Sequence, residues 1–120
     1  MARKMSKSVG RRLRIQQPVN LTMWRDTCYK IARDKGFYDG VHTAQDEVHH
    51  TNQQLLHLAI EVGELADTFR KTHSLDAAEA ADIIIVLLDL CGFAGVDIES
   101  AVRDKVAKNA ARARRYGVSS

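Results

Sequence analysis

Four carboxylates stand in two pairs whose spacing suggests a shared task. Glu61 and Glu64 are three residues apart, as are Glu79 and Asp82, and helical side chains at that spacing lie on one face, a turn apart. The two helices carrying them are joined by a short connection, which favours antiparallel neighbours, so the pairs can face each other in a partly buried place. Like charges held there would repel and lose hydration, and divalent cations relieve both. Oxygen ligands without cysteine, and without histidine at the third position of either pair, suit Mg²⁺ or Mn²⁺ rather than zinc. The pairs also depart from the Glu-x-x-His pattern of di-iron bundles. The plainer reading makes Glu61 and Glu64 surface residues and Glu79 a helix-start charge. Asp82, directly before the apolar run 83–88, fits that reading worst.

A second set carries the opposite charge. Lys105, Lys108, Asn109, Arg112 and Tyr116 fall in one arc of a C-terminal helix at 100° per residue. Phosphate is the natural counterpart of such a stripe, although a solvated amphipathic helix would show it too. His57 lies one turn before Glu61 and His50 two turns before His57 on the same face; histidines so placed are read as polar lining before metal ligands. Asp89 follows Asp82 by seven residues and shares its face, as a further ligand, a supporting carboxylate or a helix-end charge. Gly63 between the glutamates costs about 1 kcal/mol relative to alanine, so its missing side chain admits close approach by the third helix or by a ligand.

The elements that must position these residues are helical. The chain has one proline, Pro18, no alternating β-type run and abundant Ala, Leu, Lys, Arg and Glu. The expected architecture is an all-α four-helix bundle with antiparallel central helices, completed by oligomerisation. The first helix is expected from about 20 or 22 to 35, with Gly36 in the left-handed position that ends it. The second starts between 43 and 51 and ends near 71. The third runs from 75 to about 92, N-capped by Ser74, with Gly92 and Gly95 breaking it. The fourth, capped by Asp97, extends to about 116. Leu55, Leu58, Ala59, Val62, Leu65, Ala66 and Phe69 form the expected core face of the second helix. The third helix is apolar almost all round over 83–88 and is expected at the centre.

At 120 residues and 13.4 kDa, with 45% apolar and 28% charged residues, the chain suits one domain and leaves no room for a two-domain enzyme. At this size a deep cleft is easier to build between subunits. The longest apolar run falls far short of the roughly 20 residues that span a bilayer, so no membrane association is expected. The basic first 15 residues lack the apolar core of a secretory signal, and two cysteines make no disulfide framework, which together point to the cytoplasm. Residues 1–36 carry a net charge of +8, residues 37–100 of −10 and residues 101–120 of +5. Residues 1–18 hold six Lys/Arg and no acid and are read as a disordered basic arm; the folded domain is assigned to 19–117.

Together these residues resemble a known family. Ala59-Ile-Glu-Val-Gly-Glu-Leu-Ala66, then Glu79-Ala-Ala-Asp82 before an apolar helix, then Lys105-x-x-Lys108-Asn109-x-x-Arg112 is similar to the MazG-like branch of the all-α nucleoside triphosphate pyrophosphohydrolases. The gap between the pairs, residues 65–78, falls within the family's range, and Gly36-Phe37-Tyr38-Asp39 resembles a segment of small phage MazG-like proteins. Ile60 departs from the pattern, standing where many members carry another glutamate. The resemblance covers roughly residues 20–116. It implies Mg²⁺-dependent hydrolysis of a (deoxy)nucleoside triphosphate to the monophosphate and pyrophosphate, with Mn²⁺ able to substitute, in a homodimer or homotetramer whose fourth helix can complete a neighbour's site. It further implies that Glu61, Glu64, Glu79 and Asp82 hold the metal, that Lys105, Lys108, Asn109 and Arg112 bind phosphates, and that guanine nucleotides are favoured. A phage-encoded member would work in the host cytoplasm. The base pocket is expected near the start of the second helix, with Trp24, Phe37, Tyr38, His50, Gln53, Gln54 and His57 as candidates. Two other classes remain: a nucleic-acid-binding protein using the basic arm and fourth helix, which the central −10 block opposes, and a non-catalytic metal-stabilised bundle.

Overall fold

The structure, a computed structural model, is described over residues 20–112; the basic arm and Tyr116 lie outside the described residues. Those residues form four helices, α1 (Leu21–Asp34), α2 (Ala44–Thr72), α3 (Ala77–Ala94) and α4 (Ile98–Ala111), packed as an all-α bundle with no strand among them. Local chemistry sets most of their ends. The Asn20 side chain accepts the Met23 N–H at the start of α1, and Gly36, at φ 85°, turns the chain beyond its end. Thr43 and Asp46 form a reciprocal capping box at the start of α2. Asp97 caps α4 by accepting the Ser100 N–H.

Three expected boundaries are corrected. The N-cap of α3 is Asp76, whose Oδ1 accepts the Glu79 N–H at 3.0 Å. Ser74 is instead engaged in the preceding turn, its N–H bonded to Thr72 Oγ1 at 3.1 Å, beside His73 in the left-handed conformation. Nor does Gly92 break α3, which continues to Ala94. A Cβ on Gly92 would lie 2.6 Å from Tyr29 Cβ and 3.3 Å from the Arg25 carbonyl oxygen, so this glycine is where α1 and α3 cross closely. α4 ends at Ala111 with Arg112 as its C-cap, and the rest of the expected span, 113–116, lies outside the described residues.

α3 packs against both α1 and α2, while α4 packs on α1. Arg25 reaches the Val96 carbonyl from α1 and Tyr29 sits on Gly92, so α1 runs antiparallel to α3. Thr68 meets Glu79 across the short turn, so α2 is antiparallel to α3 as well. α1 and α2 therefore run the same way on either side of α3, leaving a groove between them. The 35–43 connection returns along that groove to begin α2.

At 1.5 Å per residue, α1 spans about 21 Å and α2 about 43 Å. α1 consequently covers only the C-terminal part of α3. The buried residues lie there and on α1: Cys28, Ala32, Leu88, Asp89, Leu90 and Cys91. The other half of the α2–α3 pair, which carries the carboxylates, stands as two helices alone among the described residues. The expected core face of α2 is accordingly not buried, and Leu55, Val62 and Phe69 are exposed. α3 is central by its packing, yet Ile84 remains 54% exposed.

Candidate active site

The groove holds about 560 Å³. Of the residues expected at a base pocket, His50, Gln53, Gln54 and His57 line it from α2 and Phe37 from the connection, with Asp89 of α3 also on its wall. Their spacing explains the arrangement, since 50, 53, 54 and 57 repeat along one helical face. Trp24 is not there. It faces the opposite side of α1, in a separate groove with Val102 and Val106 of α4, because α4 takes the outer side of α1.

Tyr38 packs against two residues of the groove wall, His50 and Asp89. Its ring stacks on Phe93 at 4.8 Å between centroids, meets Tyr29 edge-on at 5.3 Å and lies 4.5 Å from the His50 ring. Its hydroxyl donates to Asp89 Oδ1 at 2.7 Å. Asp89 is 8% exposed, and burial pushes its carboxyl above the usual range, opposed by the Tyr38 hydrogen bond and by nearby His50. Burial, then the bond to Asp89, raises the Tyr38 phenol strongly. Cys28 is pushed up by burial and by Asp89, and Cys91 by burial, so both thiols are structural rather than reactive. Of the open roles for Asp89, the helix-end charge is set aside by its burial and its partner.

The carboxylate pairs begin where the groove ends. His57 Nε2 lies 3.8 Å from Glu61 Oε2, linking groove wall to first glutamate. Glu61 and Glu79 are half-buried, whereas Glu64 and Asp82 are exposed. Glu79 Oε2 accepts weakly from Thr68 Oγ1 at 3.4 Å, and its Oε1 is buried with no hydrogen-bond partner. With Thr68 opposite Glu79, the antiparallel register sets Glu64 level with Asp82. The expected convergence of all four is not seen: among the described residues no three His, Cys, Asp or Glu side chains are grouped as a metal site. The pairs occupy successive turns of two helices, spread along the axis. Gly63 is not approached by α3, since a Cβ there would meet nothing within 4 Å.

Lys105, Lys108 and Asn109 are exposed on α4, and Arg112 is exposed at its C-cap, where the backbone has turned extended. Because α4 leaves the C-terminal end of α3 and packs on α1, the stripe is not packed beside the carboxylates at the other end of α3. The polar centre of Tyr38, Asp89 and His50 was only partly visible in sequence; its signal is a lone charge, Asp89, within the apolar stretch 83–91. No family model matches this chain, and neither does any curated protein. No solved structure matches it either.

Proposed function

We propose that this protein is a Mg²⁺-dependent pyrophosphohydrolase of (deoxy)nucleoside triphosphates, active as a homodimer or homotetramer. The observation that supports this best is the groove of about 560 Å³, lined by His50, Gln54 and His57, which opens through the His57–Glu61 contact onto the carboxylate pairs. A base seated in the groove directs its phosphates along α2 toward Glu61 and Glu64.

The donor set fits a hard cation, and the partnerless buried Glu79 Oε1 is an oxygen available to one. Glu61, Glu64, Glu79 and Asp82 would hold Mg²⁺, with rotamer changes to bring them together. When bound, the cation supplies a more acidic water and neutralises phosphate charge. Water oxygen adds to the α-phosphorus, the bond from that phosphorus to the α–β bridging oxygen breaks, pyrophosphate leaves with that oxygen, and the water's proton passes through a carboxylate of the pairs to solvent. His57 orients Glu61.

Lys105, Lys108, Asn109 and Arg112 neutralise the leaving pyrophosphate from a neighbouring subunit, because their own α4 packs away from the carboxylates. A second copy is also what the bare half of α2–α3 lacks, two helices being too few to bury its apolar face.

The test is a turnover screen of all ribo- and deoxynucleoside triphosphates with Mg²⁺ or Mn²⁺, with products resolved by chromatography. Monophosphate and pyrophosphate as first products support the reading. Diphosphate and orthophosphate, or full activity in excess chelator, reject it. Mg²⁺ binding without turnover would leave a metal-stabilised bundle, and salt-dependent retention of DNA would favour nucleic-acid binding.

A further inference from the structure

Asp89, on the groove wall, has incomplete hydrogen bonding. Asp89 Oδ1 accepts from Tyr38, but Oδ2 receives no hydrogen bond from any described residue although the side chain is 8% exposed and lies on the groove wall. A buried carboxylate has room for about four donors and is costly with one. His50, beside it on the Tyr38 ring, has a buried Nε2 with no partner. The neighbouring surfaces are apolar or aromatic, with Phe37, Ile85 and Val86 on the wall. An aromatic ring fits such a slot when its edge satisfies the carboxylate.

We propose that Asp89 sets base specificity, its carboxylate accepting hydrogen bonds from a ring edge that presents two adjacent N–H donors, as guanine does with N1–H and its 2-amino group. The inference rests on the nucleotide reading above and adds to it the residue that selects the base. Adenine offers one amino donor beside a ring acceptor, which an ionised carboxylate repels; hypoxanthine keeps N1–H but lacks the amino group. The Tyr38 hydroxyl takes one lone pair of Oδ1, leaving the other and Oδ2 for the base, and the Gln54 amide on the same groove wall can meet its remaining polar atoms.

The test titrates GMP, IMP and AMP into the full chain without metal, followed by calorimetry, so that binding is read apart from hydrolysis. GMP is expected to bind tightest, IMP less well and AMP least. Asp89→Asn, which keeps the volume but replaces one acceptor with a donor, should weaken GMP roughly five- to a hundredfold, the range for one bidentate pair, while AMP is unchanged or improved. Tyr38→Phe keeps the free oxygen and should retain the order GMP, IMP, AMP. GMP binding no better than AMP, an Asp89→Asn variant with unaltered preference, or an equal loss of preference in Tyr38→Phe would each overturn the inference. A melting curve of Asp89→Asn at or above wild type excludes unfolding as the cause. Guanine preference without turnover of any triphosphate would retire the hydrolase reading alone, whereas turnover with no base preference would retire only the role of Asp89.

Discussion

Glu79 and Asp89 show what burial does to a carboxylate on the same helix. Glu79 keeps one oxygen on Thr68 and leaves the other buried without a partner; Asp89 keeps one on Tyr38 and lies on the groove wall. The first suits a cation, the second an N–H donor. Glu64→Gln and Asp82→Asn are expected to abolish Mg²⁺-dependent turnover in a folded protein, because an amide keeps the volume but loses the charge a cation needs; steady-state rates alongside circular dichroism check this. The raised pKa of Asp89 also has a stability consequence. The folded chain holds this proton to higher pH than the unfolded chain, so this group lowers stability as pH rises from the ordinary value of 3.8 through the folded one. Asp89→Asn should therefore melt higher than wild type at neutral pH, with the difference fading below about pH 3.8, as a pair of melting series across pH would reveal.

At the scale of the element, two glycines inside helices face opposite surroundings. Gly92 lies under Tyr29 where α1 crosses α3, and Gly63 faces open space. Gly92→Ala forces a methyl into that crossing and should cost about 1–3 kcal/mol. Gly63→Ala should stabilise an isolated chain by about 1 kcal/mol through helix propensity alone. If a second copy packs on α2 at Gly63, the added methyl will instead weaken association. Denaturant melts of both variants, with Gly63→Ala repeated across protein concentration, separate these effects. The start of α2 provides a reference of known kind, since Thr43→Ala removes half of the capping box and should cost about 1 kcal/mol in the same measurement.

The whole molecule is unevenly covered. Its buried residues gather where α1 lies over α3, while the carboxylate half leaves Ile60, Val62, Phe69 and Ile84 exposed. In the proposed oligomer this apolar surface is what a second copy would bury, and a second α2–α3 pair would complete four helices around it. Sedimentation of the wild type should give a dimer or tetramer. Ile84→Glu should shift it toward monomer and lower its melting temperature, because the charge would be buried on association. A wild-type monomer at micromolar concentration would remove the subunit-sharing part of the proposed mechanism. No described helix is long and apolar enough to cross a membrane.

Sequence alone determined what depends on atoms a few residues apart. The helical class, the cap at Asp97 and the turn at Gly36 are satisfied within one helical turn, so residue type and spacing carry them. The shared face of His50, Gln54 and His57 is legible for the same reason, helical period being local. The choice between Ser74 and Asp76 was not, because Thr72 and His73 had already drawn Ser74 into the turn after α2. Trp24 belongs to the α4 side, and the arc of Leu55, Val62 and Phe69 stays exposed, because periodicity identifies an apolar face without saying which helix is long enough to cover it. Only the tertiary structure decided that α1 ends halfway along α3, and that Tyr38 returns across the groove to Asp89. Those arrangements follow from a close crossing at Gly92 and from helix lengths acting over tens of residues, contacts that no local spacing encodes.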